Sequence, residues 1–278
     1  MRRLVFSILL CTVAVSVFAA QRDTLRILAI GNSFSADAVE DHLYPIALEK
    51  GVTLIIGNMY IPGCSLERHA GNVRDNKADY NYRKIAADGI MTKEGDWSLE
   101  RAIADEDWDI VTLQQSSPIS GQTDGYFPFI NEMIDFIKAN QPEAEIVFHM
   151  TWAYDPASPH KGFIKYGNDQ ELMYKSIMAT VMNVTAKVGI DKVIPCATAM
   201  QNARTTLLED KVNKSDGYHL SRPHGRYLAA CVWVEYLLGK NVKGVKYCPE
   251  GMTPAECLLA QKSARASVRN PFKVTRIR

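Results

Sequence analysis

The sequence predicts an α/β fold: a three-layer α/β/α sandwich around a central parallel sheet of about five strands. Two observations carry that expectation. Apolar runs of strand length alternate with amphipathic stretches of helix length, the pattern of a parallel sheet with crossover helices. The chain also has 278 residues, 47% hydrophobic and 23% charged, the make-up of a folded globular protein of single-domain enzyme size. No internal repeat appears; the lone Trp108-Asp109 pair does not recur at a propeller period.

Taken in order, the first strand is Thr24 to Ile30 (TLRILAI) and the first helix Ala36 to Lys50. Val52 to Tyr60 reads as the second strand, Asp109 to Gln114 as the third, Glu145 to Met150 as the fourth, and Lys192 to Pro195 as a short fifth. Phe127 to Ala139 and Gln170 to Lys187 carry apolar residues at helical spacing. Two segments break the rhythm. Ile61 to Trp97 is long and polar, and is expected to hold a loop plus a short hairpin (Tyr80 to Met91) beyond the carboxyl edge of the sheet. Thr151 to Asn168 leaves the fourth strand at that edge, where open α/β sheets bind ligands.

The first twenty residues stand apart. Arg2 and Arg3 precede an apolar run from Leu4 to Ala20, and the small Ala19 and Ala20 precede polar Gln21-Arg22-Asp23. This reads as a signal peptide over 1–20, leaving one domain over 21–278 that is exported to the periplasm or secreted, with no stable membrane anchor after cleavage. Lys and Arg number 32 against 31 Asp and Glu, so no global field draws the protein to nucleic acid or anionic lipid. The expected partner is a small-molecule or glycan substrate, neutral or locally recognised. The cysteines of the mature chain, Cys64, Cys196, Cys231, Cys248 and Cys257, are odd in number and scattered, which is not a disulfide scaffold. Cys248 and Cys257 flank a turn-rich stretch and could pair.

The chemistry-bearing residues lie at opposite ends of the domain. Gly31-Asn32-Ser33-Phe34-Ser35 follows the first strand directly. A serine at a strand-to-helix junction is lifted to the sheet's edge with its own amide facing a developing oxyanion; the plain alternative is that Ser33 or Ser35 caps the helix. Ser215-Asp216-Gly217-Tyr218-His219 sits just before a helix near Pro223. A hydroxyl nucleophile needs an imidazole to take its proton and a carboxylate to orient that ring, and Asp216 and His219 offer both from one turn. The six histidines, His42, His69, His149, His160, His219 and His224, show no metal-binding spacing, so neither a metal nor another cofactor is expected.

From about Leu25 to Leu238 the chain resembles the SGNH/GDSL hydrolase superfamily, with its flavodoxin-like sandwich, a nucleophilic serine after the first strand, a glycine after the second, an amide residue after the third and a terminal Asp-x-x-His. Asn32 stands where many members have the Asp of Gly-Asp-Ser. Trp108-Asp109 and Trp152-Ala153-Tyr154 are similar to a bacterial branch resembling carbohydrate acetylesterases. The resemblance implies a Ser33, His219 and Asp216 triad, and an oxyanion hole from the Ser33 and Gly63 amides and the side chain of Gln114, or alternatively Gln115, where asparagine is usual. It also implies acetyl esters of carbohydrates as substrates. Trp152 and Tyr154, as sugar-stacking aromatics, and Arg68 and His69, after the glycine block, are the candidate substrate contacts. A noncatalytic carbohydrate-binding protein on the same fold, or a lipase or thioesterase of the same superfamily, are the alternatives.

Overall fold

The computed structural model describes residues 24–278, and the expected signal peptide lies outside the described residues. Strand β1 (Thr24–Gly31) is buried from Ile27 onward, which is why its sequence is a nearly unbroken apolar run rather than an alternation. It leads into helices α1 (Ser33–Val39) and α2 (Leu43–Glu49), then β2 (Thr53–Tyr60). The single helix expected over Ala36 to Lys50 is thus two. Proline at 45 has no N–H to continue a helix and its ring clashes with the carbonyl four residues back, so it sits in the first turn of a new one.

After β2 comes α3 (Leu66–Arg74), not anticipated within the polar stretch, then β3 (Tyr80–Ile85) and β4 (Met91–Trp97). These two strands do not form a hairpin beyond the carboxyl edge. They extend the sheet laterally, β3 pairing antiparallel with β2 and β4 with β3, so the sheet has seven strands, five of them parallel. The remaining elements are α4 (Leu99–Ile103), β5 (Ile110–Leu113), α5 (Phe129–Asn140), β6 (Glu145–His149), α6 (Gln170–Val188), β7 (Val193–Ile194), α7 (Cys196–Arg204), α8 (His224–Leu237) and α9 (Pro254–Arg269). The strand order is β4-β3-β2-β1-β5-β6-β7, with helices on both faces.

In one layer α8 packs against α1, α2, α7 and α9, while α3 packs against α4 and α5. Helix α8 is buried from Tyr227 to Val234, so its stretch of Leu-Ala-Ala-Cys-Val-Trp-Val is apolar all round. Thr253 and Glu256 form a capping box at the start of α9, and Cys248 and Cys257 are disulfide-bonded across that helix start. Among the described residues, no helix is long and apolar enough to cross a membrane. The parallel register sets the position of the site: Gly31 is level with Tyr60, Ile30 with Leu113, and Leu113 with Phe148. The residues leaving β1, β2, β5 and β6 therefore emerge along one edge.

Candidate active site

At the end of β1 it is Asn32, not a serine, that caps α1. Its Oδ1 accepts from the Phe34 N–H at 2.9 Å, and its Nδ2 donates to the Cys64 carbonyl at 2.9 Å. Capping by Asn32 leaves Ser33 at the first helical position, half-buried, with its hydroxyl bonded to nothing among the described residues. Orphan N–H groups of a helix start face this position. Across from it, Gly63 follows β2 with φ of 62°, a left-handed conformation suited to glycine.

The Asp216 to His219 turn supplies the other half. Asp216 Oδ2 accepts from His219 Nδ1 at 2.8 Å, and its Oδ1 accepts from the N–H groups of Tyr218 (3.1 Å) and His219 (3.0 Å). Burial works against the Asp216 charge, but these hydrogen bonds outweigh it and hold its pKa below the usual carboxylate value. The carboxylate thereby keeps the His219 proton on Nδ1 and the Nε2 lone pair free. Gly217 turns with φ of 73°, and Ser158 packs so close to it that a side chain there would collide. The turn is braced from below: buried Asp37 accepts from the Leu220 N–H at 2.7 Å and pairs with Arg226, which also bridges to Asp41. Burial raises the Asp37 pKa even with Arg226 beside it.

Ser33, Gly63 and His219 line one cleft of about 250 Å³, with Asn32, Phe34, Tyr60, Pro62, Ser117, Pro118, His160 and Tyr218 completing its wall. Asp216 stands behind His219. No hydrogen bond joins Ser33 to His219 among the described residues; such contacts are commonly long before substrate arrives.

Other residues singled out in the sequence are placed elsewhere. Gln114 does not line the cleft: its Nε2 donates to Asn32 Oδ1 at 2.9 Å and its Oε1 faces His149 Nδ1 at 3.0 Å. Because the Phe34 N–H and the Cys64 carbonyl fix which way Asn32 points, Gln114 can only donate to it, and His149 must carry its proton on Nδ1. Gln115 is equally committed, accepting from Leu66 N–H (3.1 Å) and Ser116 N–H (2.8 Å) and donating to the Gly125 carbonyl (2.6 Å). Neither glutamine lines the cleft. Trp152 is fully buried, stacked on Phe34 at 4.3 Å with its Nε1 donating to the Tyr218 carbonyl, so it supports the site from within the core. Tyr154 is buried with its hydroxyl on Ser117 Oγ at 2.8 Å. His69 is buried against the Tyr80 hydroxyl at 2.8 Å, and Arg68 faces solvent beside Asp79. None of these four lines the cleft.

The wall residues missed in the sequence are Tyr60, Pro62, Ser117, Pro118, His160 and Tyr218. Two of these carried a signal: Tyr218 lies between the paired Asp and His, and His160 lies in the loop singled out after the fourth strand.

Comparison with known proteins agrees with this architecture. Residues 26–267 match the family model described as a domain of unknown function, DUF4886. A DUF4886 family protein from Bacteroides uniformis has 45% identity, a TM-score of 0.89, and coverage of 91% of this chain and 98% of its own. A protein of Slackia heliotrinireducens assigned to the SGNH hydrolases superposes with a TM-score of 0.53 at 22% identity over 77% of this chain and 99% of its own. A GDSL-like lipase structure from Parabacteroides merdae gives 0.50 at 15% identity over 78% and 96%. Among curated proteins no sequence match is found. The chain has the fold of the SGNH/GDSL hydrolases and belongs to the DUF4886 family.

Proposed function

We propose that the protein is an exported serine hydrolase acting on carboxylic esters, with acetyl esters of carbohydrates as its substrate class. The observation that carries this reading is the Asp216 to His219 hydrogen bond of 2.8 Å at a cleft whose opposite wall is Ser33 at a helix start. In the reaction, His219 Nε2 takes the Ser33 proton as Oγ attacks the ester carbonyl, while Asp216 stabilises the imidazolium that forms. The backbone N–H groups of Ser33 and Gly63 receive the oxyanion, each contributing about 3 kcal/mol when aligned. His219 then protonates the departing alcohol, and water, activated by the same imidazole, releases the acid from the acyl-enzyme.

A cleft of about 250 Å³ favours a short acyl group over a lipid chain. Its polar aromatic wall of Tyr60, His160 and Tyr218 suits a sugar alcohol. The Cys248 to Cys257 disulfide is in keeping with an oxidising compartment. The withdrawal of Gln114 from the cleft is the one feature that favours the binding-protein alternative.

The test is hydrolysis of p-nitrophenyl acetate, butyrate and octanoate by the mature protein beside Ser33→Ala and His219→Ala. Acetate-preferring turnover, lost in both variants by about a thousandfold or more, is expected. Well-folded protein that turns over none of these esters or acetylated sugars, yet binds glycans equally with Ser33→Ala, would move the reading to the binding protein.

A further inference from the structure

The acyl-transfer chemistry above leaves one cleft histidine without a task. His160 lines the cleft with Ser33 and His219, and its Nδ1 lies 3.0 Å from the N–H of Gly162. A backbone N–H only donates, so Nδ1 is the acceptor and the ring proton sits on Nε2. Burial pushes the His160 pKa down, which keeps the ring neutral. With Nδ1 committed, Nε2–H is the one polar edge the ring can offer, and it has no acceptor among the described residues.

His160 is also held in register with the triad. Its ring meets Tyr218 edge to face at 4.9 Å and lies 4.9 Å from Tyr154, while Tyr218 lies 4.3 Å from His219. The Asp155 N–H donates to the Gly217 carbonyl at 2.7 Å, and the Ser158 hydroxyl donates to the Asp216 carbonyl at 3.4 Å. The loop bearing His160 is therefore pinned to the turn bearing His219.

The two ends of an ester are bound by different parts of such a cleft. The Ser33 and Gly63 amides hold the carbonyl oxygen, whereas His219 passes its proton to the leaving oxygen, so groups flanking His219 face the alcohol half. We propose that His160 is a specificity-determining residue for that half: its Nε2–H donates to a hydroxyl or ether oxygen of the alcohol, favouring esters of polyhydroxylated alcohols over esters of plain alkyl alcohols. This rests on the serine-esterase reading and adds to it a residue that the resemblance does not supply.

Glycerol monoacetate and propyl acetate share an acyl group and a carbon skeleton and differ in hydroxyls. We would measure kcat/KM on both for the wild type, Ser33→Ala, His160→Phe and His160→Asn. His160→Phe, which keeps the aromatic contacts with Tyr218 and Tyr154, is expected to lose about tenfold on glycerol monoacetate, the size of one hydrogen bond in a partly desolvated site. On propyl acetate, which has no hydroxyl for Nε2–H to meet, the loss is smaller, so the ratio of the two kcat/KM values falls. His160→Asn keeps an acceptor for the Gly162 N–H and a donor toward the cleft, and its preference falls between the two; it decides the comparison if the Phe variant fails to fold. Equal losses on both esters, or an unchanged ratio in both variants, overturn this assignment while Ser33-dependent turnover leaves the esterase standing. Turnover of neither ester, or turnover indifferent to Ser33→Ala, removes the esterase reading and this assignment with it.

Discussion

Moving the protein from about pH 7.5 to about pH 5 should cost it roughly 4 kcal/mol of stability through two buried imidazoles alone. His69 and His149 are both fully buried, and burial pushes each pKa down from 6.5 to about 3. A folded state that refuses a proton the unfolded chain accepts keeps its full stability above the unfolded pKa of 6.5 and loses it as pH falls toward 3. At about pH 5 the unfolded imidazole is almost wholly protonated while the folded one is not, a difference of about 2 kcal/mol per histidine. Asp41 and Asp216, whose pKa values are lowered from 3.8, lose their contributions only further down, while buried Asp37, whose pKa is raised, works in the opposite direction as pH falls, so a histidine variant compared with wild type isolates the imidazole share. His42 and His160 shift in the same direction, and single variants separate the contributions. Urea unfolding followed by tryptophan fluorescence at both pH values, for wild type and His149→Gln, gives the measurement. Whatever the variant's stability near neutrality, its loss on acidification should be about 2 kcal/mol smaller than the wild type's. The same loss in both proteins would refute the claim that His149 is held neutral by burial.

Two further predictions follow from the corrected assignments. Gln114→Leu strips the His149 N–H of its acceptor and Asn32 of one donor, so it should destabilise the fold by about 1–3 kcal/mol in denaturant unfolding; a hundredfold fall in kcat with stability unchanged would instead make Gln114 an oxyanion donor. Trp152→Ala removes the ring stacked on Phe34 and the hydrogen bond to the Tyr218 carbonyl, so it should cost about 3–5 kcal/mol, read as a lower Tm; a raised KM without a stability change would restore Trp152 as a substrate contact.

The parallel core was legible because buried strands must be apolar and their connections amphipathic, and Ser33 and the Asp216 to His219 turn were legible as candidates because their residue types stand at the ends of particular elements, which the fold brings to one cleft. What escaped was direction. Trp152 and Tyr154 were rightly placed on the loop leaving β6, yet these aromatics, three and five residues beyond His149 at the strand's end, still belong to the core, and sequence does not say which way a ring turns. His160 shares with them only its place in that loop: its cap to Gly162 and its position beside Tyr218 exist only once the loop is folded against the Asp216 turn. The β3 and β4 strands were read as lying off the sheet because they are polar. They form its edge, where only Tyr80, Tyr82, Ile85 and Trp97 turn inward to be buried.

The two departures from the superfamily pattern, asparagine at 32 and glutamine at 114, are physically one. An aspartate at 32 has no donor, and in this backbone would set a buried carboxylate oxygen against the Cys64 carbonyl that Asn32 Nδ2 now satisfies. An amide there accepts from the Phe34 N–H with one end and donates with the other, and its oxygen has a second lone pair to fill. Gln114 fills it across 2.9 Å. An asparagine at 114 has a side chain one methylene shorter, less suited to bridging both Asn32 and His149. The longer amide is thus suited to anchoring the cap of the helix that carries Ser33 rather than facing the cleft, and on the proposed serine-hydrolase reading the oxyanion is left to the Ser33 and Gly63 backbone.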